Sequence, residues 1–181
     1  AAGETHASIK SFNNHWGVPL MLARMPRETQ FGVFEIGMNH AGEITPLVKL
    51  VRPHIAVITT VAAAHLQFFN SVADIAAAKA EILSGLEPGG TALFNADHDY
   101  LHILFQHARK AGVGRVVTYG FDDDADWRIA EIEALPTRTI ARVEHDGEEH
   151  GLSLPVPGRH MVANATAALA VAHLAGQGTT H

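Results

Sequence analysis

Four apolar runs of strand length, Phe31–Phe34, Ile55–Val61, Thr91–Phe94 and Val116–Tyr119, recur along the chain with segments of helix length between them. The runs do not alternate apolar with polar residues, the pattern of strands buried on both faces. The intervening segments, at about Val18–Arg24, Ile44–Val51, Val72–Leu86 and Tyr100–Ala111, are patterned as helices. Together they predict an α/β fold with a mostly parallel sheet covered by helices on both sides. From Trp127 to Leu154 the pattern changes to strand-like alternation, with a turn at His145-Asp146-Gly147, which predicts an antiparallel flap. An Ala-rich helix from about His160 to Ala175 follows, with Gly176 placed to cap it.

At 181 residues the chain is expected to form one domain of ordinary size. Its net charge of -6 argues against a nucleic acid as partner, because binding a phosphate backbone requires a basic patch. With no cysteine, disulfides, thiolate catalysis and cysteine-based zinc sites are excluded. A reducing cytoplasm is compatible with that composition, and no secretory signal pattern opens the sequence. The stretch from Pro53 to Ala73 carries no Asp, Glu, Lys or Arg, yet His54, Thr59, Thr60, His65, Gln67, Asn70 and Ser71 make it too polar for a membrane span.

Open α/β sheets bind ligands beyond the carboxyl ends of their strands. Glu35 stands directly after one strand candidate and His65 shortly after another. By spacing alone, Glu35 serves equally as a cap or surface carboxylate, and His65 as one loop histidine among thirteen. Lys79 is more informative. Ser71 and Asp74 resemble a capping box, and the helix that follows has Ile75, Ile82 and Leu86 on its apolar stripe, with Lys79 inside that stripe. Such a lysine either snorkels along its methylene stem or keeps a partly buried amine that deprotonates easily. Beside a carboxylate and a histidine it suits a metal site only once its positive charge is removed. The glycine-rich pieces, Leu86-Glu-Pro-Gly-Gly90 and Gly112-Val-Gly114, read as turns, and no G-x-x-x-x-G-K-[ST] phosphate loop is present.

The segments Ser11-Phe-Asn-Asn-His-Trp-Gly-Val-Pro19, Phe34-Glu-Ile-Gly-Met-Asn-His-Ala-Gly-Glu-Ile44, Ala62-Ala-Ala-His-Leu66, Ala78-Lys-Ala-Glu-Ile82 and Pro157-Gly-Arg-His160 occur in that order. Through them, from about Ser8 to Gly176, the chain resembles the Mur ligase family. The resemblance is closest to the branch that adds D-alanyl-D-alanine to UDP-N-acetylmuramoyl-tripeptide in peptidoglycan synthesis. It implies a P-loop-NTPase-like central domain using ATP and magnesium, in which the substrate carboxylate is phosphorylated and an amine then displaces phosphate. Carried over by position, Glu35 and His65 match the family's metal-binding glutamate and histidine. Lys79 matches the lysine that becomes a carbamate, whose negative charge would suit the metal. A histidine on a hard cation would by itself suggest manganese; the resemblance implies magnesium. Asn164, with His160 and Asn95, matches nucleotide-contacting positions, while Ser11, Asn13 and Asn14 fall in a substrate-facing loop.

Two departures accompany the match. Met161 stands where many members have asparagine, and residues 1–181 contain neither the family's Gly-Lys-Thr loop nor its two flanking domains. The expectation is therefore a central domain that does not turn over by itself, with Lys79 partly carbamylated or unmodified. Another branch of the superfamily, the diaminopimelate- or lysine-adding ligases or folylpolyglutamate synthetase, and a non-catalytic binding module are the alternatives.

Overall fold

The computed structural model describes residues 3–63 and 66–176. Among the described residues, eight strands lie in two sheets. β1 (Thr5–Ala7) and β2 (Phe31–Val33) form a parallel pair linked by α1 (Gly17–Arg24). α2 (Ile44–Val51) leads to the larger sheet, whose order β3-β4-β5-β6-β7-β8 follows the chain. β3 (Ile55–Ile58), β4 (Thr91–Asn95) and β5 (Arg115–Gly120) are mutually parallel, joined through α3 (Val72–Ala80) and α4 (Leu101–Lys110).

The predicted antiparallel segment is present as β6 (Trp127–Leu135), β7 (Arg138–His145) and β8 (Glu148–Leu154). It is not a separate flap. β6 pairs in parallel with the end of β5 at Tyr119↔Trp127 and Gly120↔Arg128, so the hairpins extend the same sheet. The turn expected at Asp146-Gly147 closes β7 onto β8 with positive φ at both residues, the geometry that Asp-Gly favours.

Successive side chains of the central strands enter opposite cores. Ala56, Ile58, Ala92 and Phe94 face α3 and α4, where they meet Ala76, Ala80, Leu104 and Ala108. Leu93, Val117, Tyr119, Trp127 and Ile129 face α5 (Arg159–Leu174) through Val162, Ala163, Ala167 and Ala170. Small residues on α5 let it lie close over the sheet, and it touches all six strands from β3 to β8. Both faces of the parallel strands are covered, as the unalternating runs require.

Helix ends follow the sequence signals. The Ser71 hydroxyl accepts the Asp74 N–H at 3.1 Å, and Gly176, at φ +75°, returns its N–H to His173 O. The helix expected to reach Leu86 stops at Ala80 instead and continues as a 3-10 turn over Glu81–Gly85. At Gly85 the backbone lies against Val48 of α2, so a Cβ there would sit 2.5 Å from the Val48 carbonyl oxygen. The strand expected over Ile55–Val61 ends at Ile58. Among the described residues no helix is long and apolar enough to cross a membrane.

Candidate functional site

Glu35 leaves the end of β2 into the loop that runs to α2. Its exposed carboxylate accepts a hydrogen bond from the Asn13 side-chain amide at 2.6 Å, and its backbone N–H donates to the Ser8 hydroxyl. Asn13 also accepts the Gly37 N–H at its carbonyl, and a side chain at position 37 would meet its amide at 2.8 Å. Asn14 is used differently. Its side-chain oxygen accepts from the backbone N–H groups of Trp16 and Gly17, capping the entry to α1. Ser11 is exposed, and its carbonyl accepts the Asn13 N–H.

Further along the same loop, Glu43 accepts from the Asn39 N–H and from His40 Nδ1. The Asn39 hydrogen bond, followed by that of His40, holds its carboxyl below the ordinary glutamate value. Glu81, two residues after Lys79, accepts from the Gly42 N–H, the Thr45 N–H and the Thr45 hydroxyl. A carboxylate from a distant element thus satisfies donors at the start of α2, where negative charge is also favoured.

Lys79 is half-buried in the last turn of α3, and burial lowers its pKa. Through Glu81, the end of α3 is tied to the loop that follows β2. His65 falls outside the described residues. Among the described residues no three His, Asp or Glu side chains converge as a metal-binding group. Glu35 and a carbamate on Lys79 would supply the oxygen donors that magnesium prefers, whereas an unmodified Lys79 supplies none.

An open cleft of about 720 Å³ lies beyond β4 and β5, at the start of α5. Its walls include Asn95, Asp97, Asp122, Arg159 and His160. Asp97 accepts the N–H groups of Phe121 and Asp122, tying the two strand ends together. Gly120 must be glycine there: at φ +149°, its Cβ would fall 2.5 Å from the Asp97 carboxylate. The Asn95 side-chain oxygen accepts the Asp97 N–H, so part of its capacity goes to shaping the loop. The Arg159 guanidinium lies 3.6 Å from the centroid of the Phe121 ring. Asn164 is exposed one turn beyond His160 on α5, on the same helix face. Such a cleft offers carboxylates to sugar hydroxyls and amide, imidazole and guanidinium groups to a base.

Residues 1–172 match the family described as the Mur ligase middle domain. The chain belongs to the Mur ligase family. Over 178 residues this Mur ligase domain is 36% identical to the UDP-N-acetylmuramoyl-tripeptide–D-alanyl-D-alanine ligase of Escherichia coli, covering 96% of this chain and 38% of the relative. Its fold matches a crystal structure of MurF from Acinetobacter baumannii with a TM-score of 0.88 and 33% identity, covering 96% of this chain and 37% of that one. It also shares the fold of MurF ligase from Thermotoga maritima in complex with ADP, at 21% identity and a TM-score of 0.85, over 98% of this chain and 40% of that one. This Mur ligase chain thus spans less than half the length of these relatives.

Sequence reasoning singled out Asn95 and His160 in the cleft but not Asp97, His98, Asp122 or Arg159. The run Asn95-Ala-Asp-His-Asp99 directly follows a strand candidate, so the strand-end rule applied to Glu35 could have found its members. Arg159 over Phe121 joins residues 38 positions apart and leaves no local signal.

Proposed function

We propose that this domain binds nucleotide and metal in an ATP-dependent ligase that joins D-alanyl-D-alanine to UDP-N-acetylmuramoyl-tripeptide in the cytoplasm. One observation supports the reading: three of the segments that mark this branch are linked to one another by side-chain hydrogen bonds. Asn13 of the Ser11–Pro19 segment holds Glu35 of the Phe34–Ile44 segment, and Glu81 of the Ala78–Ile82 segment binds Gly42 and Thr45 around the end of that same stretch. The similarity to ligases bearing that name extends over nearly the whole chain.

In this reading the terminal carboxylate of the precursor attacks the γ-phosphorus of ATP and becomes an acyl phosphate as the bond to the β,γ-bridging oxygen breaks and ADP leaves. The amine of D-alanyl-D-alanine then attacks the acyl carbon, forming the amide as phosphate leaves. Asn164 and His160 present hydrogen-bonding groups to adenine, and Asn95 contributes through the loop it shapes. Glu35, His65 and carbamylated Lys79 would hold magnesium. When bound, the metal neutralises charge on the transferring phosphoryl group. Asn13 keeps Glu35 oriented while leaving carboxylate capacity free. The loop around Asn13, Asn14 and Ser11 faces the precursor.

The test is phosphate release by the ligase that carries this domain, given ATP, magnesium and UDP-N-acetylmuramoyl-tripeptide. Release should depend on D-alanyl-D-alanine. Turnover only with diaminopimelate or lysine as acceptor, or with glutamate and a folate, would move the chain to another branch. Absence of turnover with every acceptor, alongside intact ATP binding, would leave a binding module.

A further inference from the structure

A side-chain pair on the loop after β2 is arranged like the orienting half of a catalytic triad. His40 Nδ1 lies 2.9 Å from Glu43 Oε1, and the other carboxylate oxygen of Glu43 accepts the Asn39 N–H at 2.8 Å. The Asn39 bond first, and the His40 bond after it, hold this carboxyl below its ordinary value, so Glu43 is an ionised acceptor. Nδ1 must therefore carry the hydrogen, which leaves the lone pair of the neutral ring on Nε2. The ring is also braced by Phe68, with centroids 4.5 Å apart, in the 3-10 turn Leu66–Phe68 beyond β3. His40 is exposed, and its Nε2 has no partner among the described residues.

The position of this imidazole matters as much as its tautomer. It joins the loops beyond the carboxyl ends of β2 and β3, the rim where open α/β sheets bind ligands. Its own loop starts at Glu35, Phe68 follows His65 by three residues, and Glu81 follows Lys79 by two. Glu81 accepts from the Gly42 and Thr45 N–H groups on either side of Glu43. The elements packed on this loop thus bring one charged group, Glu81, already taken up by backbone donors, and an uncharged turn.

The acceptor dipeptide carries its α-amine as an ammonium, which has no lone pair to attack with until one proton leaves. We propose that His40 is the general base for the acceptor, its Nε2 taking a proton from the ammonium of the incoming dipeptide. The freed lone pair attacks the acyl carbon and a C–N bond forms. The C–O bond to phosphate then breaks, and the second proton shed by nitrogen leaves with phosphate. The imidazolium, facing the Glu43 carboxylate, returns its proton to solvent. This rests on the ligase reading of the domain and gives its second half-reaction a residue.

The experiment gives the ligase that carries this domain ATP, magnesium and UDP-N-acetylmuramoyl-tripeptide, with D-alanyl-D-alanine and hydroxylamine as competing acceptors. Hydroxylamine is unprotonated at neutral pH and needs no base, so the hydroxamate counts the acyl phosphate formed. The ratio of dipeptide product to hydroxamate, read by mass spectrometry, should fall about hundredfold in His40→Ala and in His40→Gln. As pH rises past about 8, where an α-ammonium loses its proton unaided, the gap between both variants and the wild type should close. Both products come from the same enzyme in the same vessel, so a folding defect cancels in the ratio. An unchanged ratio, a fall that does not recover with pH, or full activity in His40→Gln would overturn the role of His40 as base and leave the ligase reading standing. A wild type that forms no hydroxamate would overturn both.

Discussion

Asn13 separates positioning from folding. It contacts Glu35 through one exposed hydrogen bond, so Asn13→Ala should change the melting temperature little. In the ligase that carries this domain it should lower kcat or weaken magnesium dependence about ten- to hundredfold, as is usual when the partner of a metal ligand is removed. Phosphate release against magnesium concentration checks this, and an unchanged profile would remove Asn13 from the site. Tyr119 makes a prediction about pH. Burial, as the main cause, pushes its phenol from 10.0 up to about 12, and its hydroxyl donates to the Thr59 carbonyl. Since the folded value is raised, this contribution to stability is fully present below about pH 10 and is lost as pH rises toward 12. Tyr119→Phe should cost about 1 kcal/mol at neutral pH and flatten the alkaline decline, measured as urea midpoints across that range. At this scale Glu35 and Lys79 stand out in the sequence because each breaks a local pattern, one by following a strand and the other by sitting on an apolar stripe. Asn13 as the partner of Glu35 was not legible, because the fold creates that neighbour from residues 22 positions apart.

At the level of elements, the sequence was least informative where tertiary contacts override periodicity. The apolar spacing continues through Ile82 and Leu86, but α3 ends at Ala80, where Glu81 is committed to α2 and Gly85 to a close approach with Val48. β1 carries only Thr-His-Ala, with no apolar run to announce it, and exists through its ladder with β2. Alternation placed the antiparallel hairpins correctly and could not show that they join the main sheet, since the joining pairs involve just Tyr119 and Gly120 of β5. Glu81 supports a prediction here. Glu81→Ala removes a charged acceptor from two backbone N–H groups and one hydroxyl, and should destabilise the domain by about 1.5–3 kcal/mol. Urea unfolding measures this, and a change below about 0.5 kcal/mol would show that water caps α2 equally well.

Over the whole molecule, the predicted three layers are present, with α3 and α4 on one side of the sheet and α5 on the other. These 181 residues contain no phosphate loop. Given precursor, dipeptide, ATP and magnesium, this polypeptide alone should release phosphate no faster than background, because losing even one preorganised electrostatic group typically costs on the order of a hundredfold. A rate near that of the flanked ligase would show that the loop is dispensable. The junction of β5 with β6 has a different consequence. Among the described residues two ladder pairs join the parallel half of the sheet to its antiparallel half, and α5 lies across both like a splint. The cleft borders this seam at Phe121 and touches the splint at Arg159 and His160. A nucleotide held there would bridge the two halves, so amide protons along β5, β6 and the first turns of α5 would exchange with solvent more slowly when the cleft is filled. Occupancy of a surface cleft would then be recorded in the lifetimes of hydrogen bonds in the middle of the sheet.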